Sequence, residues 1–163
     1  MNAAFASTPL GPILYRAAGS GRPLLLLHPA PRSSLVYAPL MRALTNEDGL
    51  RAIAVDLPGF GGSCDLPDGT SMEGIADAIV SFLDALGLER VDVFGLHSGN
   101  KVGAALAANH PTKVARFVFC GMTHSIIQQS ELRNEAMRAY VRDKAEVNVE
   151  RDPERFHAER DDR

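Results

Sequence analysis

The sequence predicts an α/β domain built on a doubly wound, mostly parallel sheet, and three observations predict it. Short apolar runs recur along the chain without the polar alternation of a strand that faces water on one side. Helical patterns fill the intervals between those runs. With 163 residues, of which 45% are hydrophobic, the chain has the material for one core and one domain.

The elements follow in order. Ile13-Leu14-Tyr15-Arg16-Ala17 reads as a strand closed by the turn Gly19-Ser20-Gly21-Arg22-Pro23, and it is expected to pair antiparallel at the sheet edge. Leu24 to Leu27, Arg51 to Asp56, Arg90 to Phe94 and Val114 to Cys120 are the four expected buried parallel strands. Between the first two of these, Ser33 to Leu44 reads as a helix with Pro39 in or near its first turn. A second helix begins at Thr70, whose hydroxyl is expected to cap it with Glu73 reaching back. Its apolar face is Ile75, Ala76, Ile79, Val80, Leu83 and Leu86, and Gly87 supplies a left-handed end. The alanine-rich stretch from Lys101 to Asn109 is the third. Strand and helix therefore alternate, as in a sheet with right-handed crossovers and a ligand site beyond the carboxyl ends of its strands.

After residue 125 the character changes. Residues 1–125 read as the core, and 126–163 as a charged helical tail: 131–163 alone hold 10 acidic and 8 basic residues. Within the tail, Glu131 to Glu146 fits a solvated helix.

Composition excludes several function classes. A net charge of −3 leaves no basic footprint for nucleic acid and no cationic helix for a membrane surface, so the expected partner is a small molecule. The longest apolar run, Leu24 to Leu27, is far too short to span a bilayer, and Met1 to Leu10 has no leader pattern. Cys64 and Cys120 fit free thiols of a reducing compartment, which makes a cytoplasmic location the expectation. No cofactor and no metal are expected.

The densest signal is Val91-Asp92-Val93-Phe94-Gly95-Leu96-His97-Ser98-Gly99. It has the build of a nucleophile elbow, a strand-to-helix turn so tight that the residues two before and two after the tip must be small. Gly95 and Gly99 meet that demand around His97. With Ser98 as the tip, Leu96 and Asn100 would fill the crowded places instead.

Three segments, Leu24-Leu25-Leu26-Leu27-His28-Pro29-Ala30-Pro31, Asp56-Leu57-Pro58-Gly59-Phe60-Gly61-Gly62-Ser63 and Gly95-Leu96-His97-Ser98-Gly99, together resemble the α/β-hydrolase superfamily. The resemblance covers Ile13 to Met122. It implies a hydrolase acting on a small or medium ester-like carbonyl compound, and makes the charged tail the start of a lid. Two departures stand out. The family usually places Ser, Asp or Cys at the tip, where this chain has His97. Similar proteins also continue into two further strands carrying an acid and a histidine base, and no such strands follow Met122. The expectation is therefore the N-terminal part of a hydrolase fold lacking its last strands, with Val114 to Cys120 as an exposed edge open to self-association.

His97 is the candidate catalytic residue, as general base or as nucleophile, because an imidazole exchanges protons near neutral pH. The backbone N–H groups of Ala30 and Ser98 are the expected oxyanion donors, since Pro29 has none to offer. The Ser98 hydroxyl is read as a small helix-start residue rather than a nucleophile. His28 is expected to order its own loop beside the pocket, and Asp56 to hold the turn from Leu57 to Ser63. His124 lies just past the last strand. One alternative is a non-catalytic ligand-binding relative. A second is a metal-dependent hydrolase with zinc on His28, His97 and His124.

Overall fold

Among the described residues, six strands form one sheet in the order β1-β2-β4-β3-β5-β6: β1 (Asn2–Thr8), β2 (Gly11–Gly19), β3 (Arg22–Leu27), β4 (Leu50–Val55), β5 (Val91–Leu96) and β6 (Val114–Cys120). The computed structural model describes residues 2–44 and 49–121, within a compact unit spanning Met1–Met122. The tail helix expected at 131–146, the lid reading and His124 lie outside the described residues. Strands β3, β4, β5 and β6 are parallel, whereas β1 and β2 are antiparallel to their neighbours.

The unbroken apolar runs have a direct cause, since each strand serves two cores. Leu25 and Leu27 of β3, Ile53 and Val55 of β4 and Val93 of β5 belong to one core, with Ile79, Phe82 and Leu83 of α2 (Met72–Ala85) and Leu106 of α3 (Gly99–Asn109). Leu26, Ala52 and Ala54 point the other way, into a smaller core with Tyr37 and with Met41 of α1 (Ala38–Leu44). A strand covered on both faces needs apolar residues at successive positions.

The strand around Ile13–Ala17 is not the edge. It pairs with β4 on one side and with β1 on the other. The edge strand β1 escaped the sequence reading because its inward residue is Ala6, 5% exposed, while its one large side chain, Phe5, is 60% exposed. Alanine carries little strand signal.

Strand β6 also departs from expectation: it is not buried. Among the described residues it pairs only with β5, and Val118 and Phe119 are 53% and 46% exposed. Its first residue, Val114, is buried in the core, and the half-buried Phe117 packs against Gly103 of α3; a Cβ at position 103 would run into the Phe117 ring. Phe117 and Phe119 lie side by side with ring centroids 3.9 Å apart.

The cap of α2 is Ser71 rather than Thr70. Ser71 Oγ accepts from the Gly74 N–H at 3.2 Å, while the Thr70 hydroxyl donates to the Pro67 carbonyl at 2.5 Å. Pro67 to Thr70 form a turn of their own, also closed by the Thr70 N–H on the Pro67 carbonyl, and that turn engages the hydroxyl. At the other end Gly87 is left-handed, with φ 66°, and the Leu88 and Gly87 N–H groups close on the Leu83 and Asp84 carbonyls. Phe82, absent from the expected apolar face, is fully buried and meets Tyr15 edge-on.

Candidate active site at the carboxyl ends of the strands

Strand β5 passes into α3 through His97 and Ser98. His97 has φ 49°, which makes it the one non-glycine residue with positive φ among the described residues. That conformation is costly for a residue with a Cβ and persists only where the surroundings hold it. The His97 N–H donates to the Cys120 carbonyl at 3.0 Å, and the His97 carbonyl accepts from the Asn100 N–H at 3.1 Å. The flanking glycines leave no room for side chains. A Cβ on Gly95 would lie 2.6 Å from Asn100 Oδ1 and 2.9 Å from Asn100 Cα, and one on Gly99 would overlap the Leu27 carbonyl. The turn therefore presses β3, β5 and the end of β6 together at one place.

The His97 side chain is exposed. Its ring lies over Gly121, where a Cβ would stand 3.0, 3.1 and 3.2 Å from Cε1, Nε2 and Nδ1. Near-equal distances to three ring atoms mean that the imidazole presents its face to the glycine. Neither nitrogen has a hydrogen-bond partner among the described residues.

The two amides expected to face one opening differ in state. The Ala30 N–H donates to Ser98 Oγ at 2.6 Å, so a hydroxyl of the chain itself takes this donor. The Ser98 N–H has no acceptor among the described residues. Ser98 sits at the start of α3 in a helical conformation, φ −66° and ψ −25°, and its side chain makes no capping bond. Freed from capping, the hydroxyl crosses to the loop after β3.

Around this turn several buried polar groups are paired. His28 is completely buried; its Nε2 accepts from the Leu57 N–H at 2.9 Å, which leaves the proton on Nδ1 to donate to the Pro29 carbonyl at 3.1 Å. Burial lowers the His28 pKa, against smaller upward pulls from the Pro29 carbonyl and the Asp56 charge. The Asp56 carboxylate accepts from the Ser34 N–H at 2.7 Å and the Gly62 N–H at 2.9 Å, and Arg16 approaches to 3.5 Å. Burial alone would raise its pKa, but the Ser34 hydroxyl, the Gly62 and Ser34 amides and the Arg16 guanidinium outweigh that and hold it below the usual carboxylate range. The Tyr37 phenol donates to the Leu27 carbonyl at 2.7 Å; burial, with the nearby Cys120 adding to it, pushes the phenol well above its usual value.

These bonds remove His28 from any open ligand set, because both of its nitrogens already have partners. No group of three or more His, Cys, Asp or Glu side chains among the described residues is placed to hold a metal ion. His110 pairs with Asp77 at 2.7 Å and ties α3 to α2. Sequence reasoning missed three contributors to the turn. Asn100 is 1% exposed and donates through Nδ2 to the Cys120 carbonyl at 2.9 Å, while its Oδ1 is buried without a partner among the described residues. Gly121 supports the His97 ring, and the Ser98 hydroxyl occupies the Ala30 amide. Only the glycine left a sequence signal, as the residue directly after a strand.

A model of the alpha/beta hydrolase fold family matches residues 22–163. The chain belongs to the α/β-hydrolase fold family. Among its curated relatives are a haloalkane dehalogenase of Mycolicibacterium paratuberculosis, 37% identical over 60% of this chain and 33% of its own length, and a 2-hydroxymuconate semialdehyde hydrolase of Pseudomonas putida, 34% identical over 63% of this chain and 37% of its own. Among solved structures, the N-acyl homoserine lactonase AidH complexed with N-butanoyl homoserine superposes with a TM-score of 0.68 and 34% identity, over 75% of this chain and 45% of that one. The chain thus spans about a third of the length of these curated relatives. No helix among the described residues is long and apolar enough to cross a membrane.

Proposed function

We propose that this chain carries the strand-end site of a hydrolase that cleaves a small or medium ester-like carbonyl compound, with His97 as general base. The carrying observation is the His97 turn: a histidine kept at φ 49°, exposed, with both ring nitrogens open among the described residues. Strain of this kind, maintained at the carboxyl end of a parallel strand, marks a tip held for chemistry. A carbonyl substrate suits the donors this reading assigns, the Ala30 and Ser98 amides, because an N–H pair stabilises a developing oxyanion. Two relatives, the semialdehyde hydrolase and the lactonase, also bear names of carbonyl chemistry.

In this reading the imidazole takes a proton from water as the water oxygen bonds to the carbonyl carbon and the C=O electron pair moves onto oxygen, facing the amides. The tetrahedral species then collapses, the ester C–O bond breaks, and the imidazolium returns its proton to the departing alkoxide. Water and ester become acid and alcohol, with the histidine restored. General-base rather than nucleophilic use fits a ring whose face rests on Gly121 and whose nitrogens have no partner among the described residues.

A second reading, a ligand-binding relative without turnover, is favoured by one observation: no carboxylate among the described residues orients His97. Hydrolysis of 4-nitrophenyl butyrate separates the two. Turnover that falls about 100-fold in His97→Ala supports the first reading; binding of butyrate without turnover supports the second. His97→Ser is expected to give little activity, since no base stands ready to deprotonate the serine. In this reading the partner is a small molecule, and the two free thiols, Cys64 and Cys120, support a reducing compartment such as the cytoplasm. Among the described residues β6 pairs on one side alone, which makes self-association an expected property that sedimentation with hydrogen exchange on residues 114–120 would test.

A further inference from the structure

We propose that the Ser98 side chain is a displaceable occupant of the oxyanion position: in the free protein its hydroxyl oxygen fills the Ala30 donor, and a ligand oxygen binds only by turning it aside. This deepens the hydrolase reading above and rests on its assignment of the Ala30 and Ser98 amides as the oxygen-binding pair. The geometry points to it in four ways. Ser98 Oγ accepts the Ala30 N–H at 2.6 Å, as the oxygen of a bound substrate would. The hydroxyl makes no capping bond to its own helix, so no second contact to the helix holds the rotamer. Its proton goes to no acceptor among the described residues, so one bond is all that turning it aside breaks. Ala30 is exposed, so an oxygen arriving from solvent reaches the amide directly.

The chemistry sets what can displace it. A neutral carbonyl oxygen and a hydroxyl oxygen are comparable acceptors, so a ground-state ester gains little from the exchange. An anionic oxygen makes a bond about twice as strong and wins the amide. Self-occupation therefore weakens ground-state binding while leaving an oxyanion able to take the site, a bias in the direction catalysis requires. Once turned aside, the hydroxyl is free to donate its own proton. Ser98 is thus a specificity-determining residue one position past the tip, in a role independent of nucleophilic attack.

The test uses the whole 163-residue chain, ¹⁵N-labelled, with sodium butyrate as the probe and sodium chloride at equal ionic strength as the control. In the free protein the Ala30 amide proton should resonate downfield, and Ser98→Ala should move it upfield. Butyrate should shift the Ala30 amide in both forms, with a Kd about 3- to 10-fold lower in Ser98→Ala, the value of one neutral hydrogen bond no longer in competition. Ser98→Thr, which keeps the hydroxyl, should behave as wild type. An unchanged Ala30 shift in Ser98→Ala, an equal or weaker butyrate Kd in that variant, or no butyrate effect on Ala30 in either form would overturn the proposal. Ester turnover in His97→Ala is read separately. If turnover proves independent of His97 while the butyrate results stand, the assignment of the base fails and the displaceable hydroxyl survives.

Discussion

His28 and His97 both stand at the carboxyl ends of neighbouring parallel strands, yet the fold treats them in opposite ways. His28 is fully buried and both its nitrogens are committed, one to the Leu57 amide and one to the Pro29 carbonyl. His97 is exposed, strained in its backbone, and uncommitted at both nitrogens among the described residues. Partners, rather than residue type, decide what a histidine does. The first acts as a two-ended strut between loops, and the second is available to a ligand.

The comparison breaks most directly at His28. His28→Ala leaves the Leu57 amide buried without an acceptor and opens a cavity, so it should destabilise the fold by about 3 kcal/mol in urea titration. A loss under 1 kcal/mol would mean that water or a neighbour replaces the ring readily. His97→Ala should do the reverse. Its unfolding midpoint should stay near wild type, while kcat/KM for the ester falls about 100-fold, equivalent to about 2.7 kcal/mol in the barrier.

A third substitution sharpens the contrast. His97→Gly removes both the imidazole and the penalty of a Cβ at φ 49°, so it should raise stability by about 1 kcal/mol while abolishing turnover. A destabilised glycine variant would show that the ring's contact with Gly121 contributes more than the backbone strain subtracts. The smallest effect is expected from pH. Because the folded pKa of His28 is lowered, the unfolded chain takes up a proton below about pH 6.5 that the folded chain refuses, so stability falls as pH drops from there toward the folded value. Urea midpoints at pH 7.5 and 5.5, compared with those of His28→Gln, isolate this contribution; it should be a fraction of the His28→Ala loss.

The legibility of these features in the sequence follows from how local each one is. The parallel strands β3 to β5 were readable because a strand covered on both faces must be apolar at consecutive positions, whereas β6 is as apolar without being covered on both faces. The tight turn was readable because Gly95 and Gly99 stand two positions before and two after His97. Strand β1 was not, since its buried residue is an alanine, and the cap of α2 shifted by one because Thr70 belongs to a preceding turn. The Ser98 hydroxyl on the Ala30 amide was hidden for a different reason: its partners are 68 residues apart in sequence, and nothing near either residue signals the other. His28 could be assigned to its loop, but its acceptor bond to Leu57 depends on how β3 and β4 align.

The contact between Gly103 and Phe117 gives the chain a mutational history that depends on order. With phenylalanine at 117, a methyl group at 103 has nowhere to go, because it meets a ring already held against Phe119. Replacing Phe117 by leucine first would empty that space, after which Gly103→Ala would change sign and favour the helix by up to about 1 kcal/mol. One path to the same double variant thus crosses a barrier and the other descends stepwise, so a lineage entering from the wrong side is expected to retain its glycine.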